Sequence, residues 1–309
     1  MPLDPAQLAT LAAILRRGSF DRAAAELGVT QSAVSQRLRA LEEQVGMVLV
    51  QRGPPATGTQ AGARLAQHAE QLALLESRAL HQIGQVERPG GQVSVAVNAD
   101  SLATWFPEAL ARAQDSAPGL QFNLRVDDEG HSADWLREGR VMAAITATAT
   151  PLRGCDAIFL GRMRYLATAS PGFVARYFPV GLTPEAMARA PVLLFDAKDR
   201  LQDRWVDAHV APTDLPPPPR HVMPSSEAFQ QGARHGLAWG LNPELSVRAD
   251  LASGALVELR PDTPVDVALY WQVSRLMRPG LAPLTDSLRQ VALARLLPAE
   301  APRTTAPAP

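Results

Sequence analysis

The chain has 309 residues, with 30 lysines and arginines against 31 aspartates and glutamates, and 46% of its residues are hydrophobic. That length suits two or three compact domains with well-formed cores; the near-zero net charge excludes a protein coated in positive charge, but not one small domain that binds nucleic acid. Cys155 is the single cysteine, which excludes an intrachain disulfide; with no secretory-signal pattern and no apolar run long enough to span a bilayer, a cytoplasmic protein without a membrane partner is expected.

Asp4-Pro5 reads as a helix opening, an N-cap followed by proline at the first helical position. Leu8, Leu11, Ala12 and Leu15 make the buried stripe of that helix, Gly18 ends it, and Ser19 caps the next. From Phe20 to Val45 the pattern is two helices joined by a tight turn at Gly28-Val29, with Thr30 and Ser32 as candidate caps of the second. Val34, Leu38, Leu41 and Val45 recur at helical spacing and face a core. Gln31, Ser32, Ser35, Gln36 and Arg39 then lie on the opposite side, as the reading face of a helix-turn-helix would. Gln reads adenine and Arg reads guanine by paired hydrogen bonds, whereas Ser32, Ser35 and Arg37 suit backbone phosphate. An ordinary helical hairpin with a polar solvent face fits the bare pattern equally, since the first 64 residues carry only a mild excess of arginine over acid.

Gly46 stops the second helix, Met47 to Arg52 is a short extended run, and the turn-rich stretch RGPPATG reads as a wing with Arg52 placed for a phosphate contact. A long helix is predicted from Thr59 to about Glu87. Leu65, Leu72, Ala79 and Val86 recur every seven residues, with Leu75 and Ile83 between them. The seam of Leu65, Leu72, Leu75, Ala79 and Ile83 suits pairing with a second copy, or packing on the chain's own domain.

Arg88-Pro89-Gly90-Gly91 breaks that helix, and the pattern changes to alternating strands and helices. Strands are predicted over 92–98, 121–126, 141–146, 192–195, 221–223, 237–241, 257–259 and 267–273, with one or two more within 158–170. Helices are predicted over 101–113, 132–138, 200–209, 226–235, 243–251 and 281–297. The short crossovers imply parallel pairing. Pro216 to Pro219 is a stiff loop within the second lobe, and the stretch from Ala301 reads as a disordered tail.

Winged helix-turn-helix, long helix and two-lobed α/β region, in that order, resemble the LysR-type transcriptional regulators over nearly the whole chain. The match is strongest in FDRAAAELGVTQSAVSQRLRALEEQVGMVLVQR; Val50 stands where the family often has phenylalanine, a change of packing under the wing. VNADSLATW (from Val97), SSEAF (from Ser225) and LYW (from Leu269) look like the ArgP/LysG branch, whose members respond to lysine or arginine and control basic amino-acid export.

The resemblance implies a winged helix-turn-helix over 1–58, a linker and dimerisation helix over 59–88, a periplasmic-binding-protein-like effector domain over 92–297 and a tail over 298–309. Lobe 1 would take about 92–161 and 266–297, and lobe 2 about 162–265. Expected partners are double-stranded DNA, a second copy in a homodimer or tetramer, RNA polymerase and a small amino-acid effector, with no cofactor. Two-lobed α/β domains bind ligands between the lobes, at the carboxyl ends of strands. Asn98, Asp100 and Ser101 lie at such an end in the first lobe, and Ser225 and Ser226 at the matching place in the second. Asp100, Asp127, Asp128 and Asp196 are candidate counter-charges for an ammonium or guanidinium, and Thr146 is a further cleft candidate. Taken singly, each serine reads equally as a helix cap and each aspartate as a turn residue.

A transport solute-binding protein shares the two-lobed pattern, but the N-terminal helix-turn-helix and the missing signal segment count against it. An enzyme is less favoured still. Neither a glycine-rich phosphate loop nor a nucleophile elbow is present, the histidines lack metal-ligand spacing, and Cys155, flanked by Gly154 and Asp156, has no local basic partner that marks it as catalytic.

Overall fold

The computed structural model describes residues 2–84, 90–127, 132–212 and 214–299. Val86, Arg88, Pro89, Asp128, His131 and the tail from residue 300 fall outside them.

Three helices form the first unit: α1 (Pro5–Arg17), α2 (Phe20–Leu27) and α3 (Gln31–Val45). Their caps are those the sequence offers: the Asp4 side chain accepts from the Ala6 amide, Ser19 from Arg22 and Thr30 from Ala33. Thr30 is therefore the cap of α3, while Ser32 shares a hydrogen bond with the Thr30 hydroxyl at 2.9 Å. Gly28 ends α2 at φ 64, a left-handed conformation that glycine takes without a Cβ penalty. Leu8, Leu11, Ile14, Val34, Leu38, Leu41 and Leu49 close a core between the helices. Strands β1 (Val50–Gln51) and β2 (Thr57–Gly58) pair antiparallel to form the wing. The carboxylate of Glu42 on α3 accepts from the Leu49 and Val50 amides, at 2.8 and 3.3 Å, and fixes the wing to that helix.

Helix α4 (Gln60–Gln82) starts beside the wing so closely that a Cβ on Gly62 would lie 1.9 Å from the Leu49 carbonyl oxygen. It ends earlier than the heptad pattern suggests, because Gly84 turns left-handed and its amide bonds back to the His81 carbonyl. Leu65 and Leu72 pack on the core of the first unit. Leu74, only 1% exposed, and Leu75 pack instead on the core of the α/β region. Ala79, Leu80 and Ile83 remain exposed, the last two at 43% and 70%.

The α/β region begins with β3 (Gly90–Asn98), α5 (Ala99–Thr104), α6 (Phe106–Ser116), β4 (Gly119–Asp127), α7 (Ser132–Arg137) and β5 (Ala143–Thr146). Strand β3 runs parallel to β4 on one side and β5 on the other. The chain then crosses to the second lobe along β6 (Cys155–Ala169), continuing through α8 (Pro171–Tyr177), α9 (Pro184–Arg189), β7 (Val192–Leu194), α10 (Leu201–His209), β8 (Arg220–Val222), α11 (Ser226–Arg234), β9 (Gly240–Pro243), α12 (Glu244–Ser253) and β10 (Val257–Glu258). It returns along β11 (Val265–Ser274) and closes with α13 (Ala282–Arg295). Strands β6 and β11 pair antiparallel along their lengths, and their register slips at Leu160, beside Gly161. A Cβ on Gly161 would lie 2.6 Å from the Leu296 Cβ, so the crossover is held tightly under the end of α13.

Several expectations are corrected. The helix predicted over 101–113 is two helices broken at Trp105, because Pro107 lacks the amide that would bond back into α5. Among the described strands, pairing is parallel between β3 and β4, β3 and β5, and β7 and β8, whereas β5–β11, β6–β9, β6–β10 and β6–β11 are antiparallel. Within 158–170, residues up to Ala169 belong to one long strand, one of the two expected alternatives, and Ser170 caps α8; helices α8 and α9 are additions to the predicted set.

Candidate functional site

On α3, Gln31, Ser32, Gln36 and Arg39 are exposed, and Ser35 and Arg37 are half-buried beside the apolar stripe. Arg52 on the wing is exposed and lies over the Phe20 ring, 5.4 Å from its centre. The face therefore presents paired donors and acceptors on one helix and a cation on the adjoining loop. A reader of a DNA groove has these parts.

A cavity of about 230 Å³ opens between the two lobes. The carboxyl ends of three strands supply much of its wall: Asn98 to Asp100 after β3, Phe195 to Asp199 after β7, and Leu241 to Pro243 closing β9. Asp100 is its centre. Its carboxylate accepts from the Tyr165 hydroxyl at 2.8 Å and the Ser226 hydroxyl at 2.6 Å, which ties β3, the crossover strand β6 and helix α11 together. Burial pushes the Asp100 carboxyl above its ordinary value; the two hydrogen bonds oppose that shift, and the nearby Asp199 charge adds to it. Asp199 accepts from the Phe195 and Leu201 amides, both at 2.9 Å, and Asp196 accepts from Lys198 and Asp199, at 2.6 and 2.9 Å. These loop bonds hold three carboxylates around one small space.

Three further oxygens on this wall, Asn98 Oδ1, Gln202 Oε1 and Asn242 Oδ1, are buried without a hydrogen-bond donor. A buried acceptor without a partner is destabilising by about 1–3 kcal/mol. A ligand rich in N–H donors, carrying positive charge, fits this lining.

Of the residues singled out from the sequence, Asn98, Asp100, Asp196 and Ser226 line the cavity. Ser101 does not; it is fully buried behind the wall. Ser225 caps α11 by accepting from the Ala228 amide. The Thr146 hydroxyl accepts from Gln272 and lies away from the cavity. Asp127 ends β4 beside Asn98 in the parallel register. Tyr165, Lys198, Asp199, Gln202 and Asn242 complete the polar lining and were not singled out as site residues. The strand-end rule reaches Asn242; nothing local marks Gln202, a helix residue 2% exposed.

The bacterial regulatory helix-turn-helix model of the lysR family matches residues 5–63, and the LysR substrate binding domain model matches residues 87–293. The lysine export transcriptional regulatory protein LysG of Corynebacterium glutamicum is 41% identical over 300 residues, spanning 96% of this chain and 100% of that protein. The crystal structure of ArgP from Mycobacterium tuberculosis, 43% identical, superposes with a TM-score of 0.76 over 97% of this chain and 100% of its own. Full-length LysG of C. glutamicum with bound effector Arg, 38% identical, superposes with a TM-score of 0.66 over 96% and 100%. The chain thus belongs to the LysR family of DNA-binding transcriptional regulators.

Proposed function

We propose that the effector of this regulator is a basic amino acid, arginine or lysine, held in the cavity between the lobes. The observation that carries this reading is the lining: Asp100, Asp196 and Asp199 with three donor-less amide oxygens around about 230 Å³. A guanidinium brings five N–H donors and a fixed positive charge, and an ammonium brings three. Lys198, the only lysine of the chain, lines the same cavity and is placed to meet the effector's carboxylate. Arginine bound to the C. glutamicum relative supports the same class.

On this reading Gln31, Gln36 and Arg39 contact base edges, while Ser32, Ser35, Arg37 and Arg52 contact phosphates. The exposed end of α4, with Ala79, Leu80 and Ile83, joins two copies, so that two reading helices meet a two-fold-related site. Dimers pair into tetramers and contact RNA polymerase in the cytoplasm. Target genes serve basic amino-acid export or metabolism, as the name of the C. glutamicum relative suggests. Effector binding acts by favouring one arrangement of lobes over another.

Titration calorimetry with arginine, lysine and the neutral isostere citrulline tests the effector. Saturable heat with arginine or lysine, and at least tenfold weaker binding of citrulline, is expected. No heat with either basic amino acid overturns the effector class and leaves the DNA-binding assignment untouched.

A further inference from the structure

A second cavity, of about 480 Å³, lies where the DNA-reading unit meets the effector region. Arg16 of α1 and Gln67 and Glu70 of α4 form one wall, and Ser94 of β3 and Arg125 of β4 form the other. It shares no lining residue with the cavity between the lobes.

Its donors are poorly matched within the chain. Gln67 is only 8% exposed, and its Nε2 is buried without an acceptor. Arg125 Nε is likewise buried and unbonded; the guanidinium lies 6.0 Å from the Trp135 ring centre. Burial, and then the Arg140 charge, push the Arg125 guanidinium below its ordinary value, and the Glu70 charge opposes that shift. The Glu70 carboxyl accepts from the Ser94 hydroxyl at 3.2 Å, and burial pushes it above its ordinary value despite both arginines. Arg16 adds a second cation, shared with Glu26 and bonded to Gln92 across the joint at 2.9 Å.

We propose that this joint is a second ligand site, for a small oxyanion of the phosphate or carboxylate class, gripped by Arg125 and Gln67 with Arg16 at its edge. Buried orphan N–H donors beside a second cation, lining one space, are what such an anion satisfies. A bound anion ties α1 and α4 to β3 and β4. It therefore stabilises one setting of the DNA-reading unit on the effector region, and by linkage alters affinity for DNA.

The test titrates sodium phosphate, and separately sodium succinate, into the full chain at constant ionic strength made up with chloride. Calorimetry is read for wild type, Arg125→Ala and Gln67→Met, each checked for folding by circular dichroism. A saturable heat with either anion, weakened tenfold or more in both variants, is expected; which anion gives it fixes the source. If Arg125→Ala does not fold, Gln67→Met decides. Binding that survives both substitutions belongs to another basic surface, such as the DNA-reading face, and overturns the proposal. Only an unsaturable stabilisation common to all three proteins, the general effect of phosphate exclusion, overturns it too.

Discussion

Ser226 Oγ donates to Asp100 Oδ1 across 2.6 Å, and through that bond the second lobe reaches over the cleft to the first. Tyr165 holds the other oxygen of the same carboxylate. A cationic effector has to work against an Asp100 carboxyl that burial has pushed toward its neutral form. The sign follows from linkage: the cation favours the ionised carboxylate, so the bound pKa lies below the free one. Affinity for arginine should rise with pH between those two values and level off above the free one, with proton release on binding inside the window. Calorimetry in buffers of different ionisation heat measures that release. Asp100→Asn should flatten the profile and weaken arginine by about 2 kcal/mol or more; an unchanged profile removes Asp100 from contact with the cation.

On the reading helix, Arg39 and Arg52 should fail differently. Arg39→Ala should weaken the cognate sequence by about 1–3 kcal/mol and relax preference at one base pair. Arg52→Ala should weaken all sequences alike and lower the slope of log affinity against log salt by about one. Fluorescence-anisotropy titrations over a salt series separate the two. Identical salt slopes in all three proteins would remove Arg52 from the phosphate contacts.

Glu42 is a positioning residue for the wing. Glu42→Ala leaves the Leu49 and Val50 amides without their shared acceptor, at a loss of about 1–3 kcal/mol in stability. DNA affinity should fall while arginine binding per chain is unchanged. Glu42→Gln keeps an acceptor and should recover most of the loss in thermal melts, an outcome that simple loss of charge does not give.

The free end of α4 supplies a test of assembly. Ile83→Asp places a charge on a residue 70% exposed in the single chain, so the fold should tolerate it. Sedimentation should nevertheless show dissociation at concentrations where wild type is dimeric. Unaltered sedimentation would move the dimer contact elsewhere.

Much of the fold could be read because local chemistry agreed with global packing. Asp4-Pro5, Ser19, Thr30 and the glycines at 18, 28 and 46 bracket α1 to α3 as the cap rules require. The seven-residue seam lies on one helix from Leu65 to Ala79, with Ile83 just past its end and Val86 outside the described residues, but the sequence does not show what the seam packs against. Leu65, Leu72 and Leu75 repeat alike in sequence, yet the first two meet one core and the third another. Strand direction was equally hidden, since β6 and β11 carry the same β-branched and aromatic pattern whichever way a neighbour runs. In the cleft, strand ends revealed Asn98, Asp100 and Asp196; Gln202 and Lys198 arrive through a loop and a helix whose placement only the fold decides.

Leu72 sits against one core and Leu74, two residues on, against the other. The angular phase between reader and sensor is therefore written into a single turn of α4, with no slack to absorb a change. Each added helical residue advances that phase by about 100° and about 1.5 Å. An alanine inserted after Leu72 should leave arginine binding intact yet abolish recognition of paired half-sites. Inserting seven, close to two full turns, should restore the angle and shift only the spacing that the protein accepts, measurable on operators with stepped half-site separation. Helical phase, and not contact with either ligand, would then set which promoters the effector can reach.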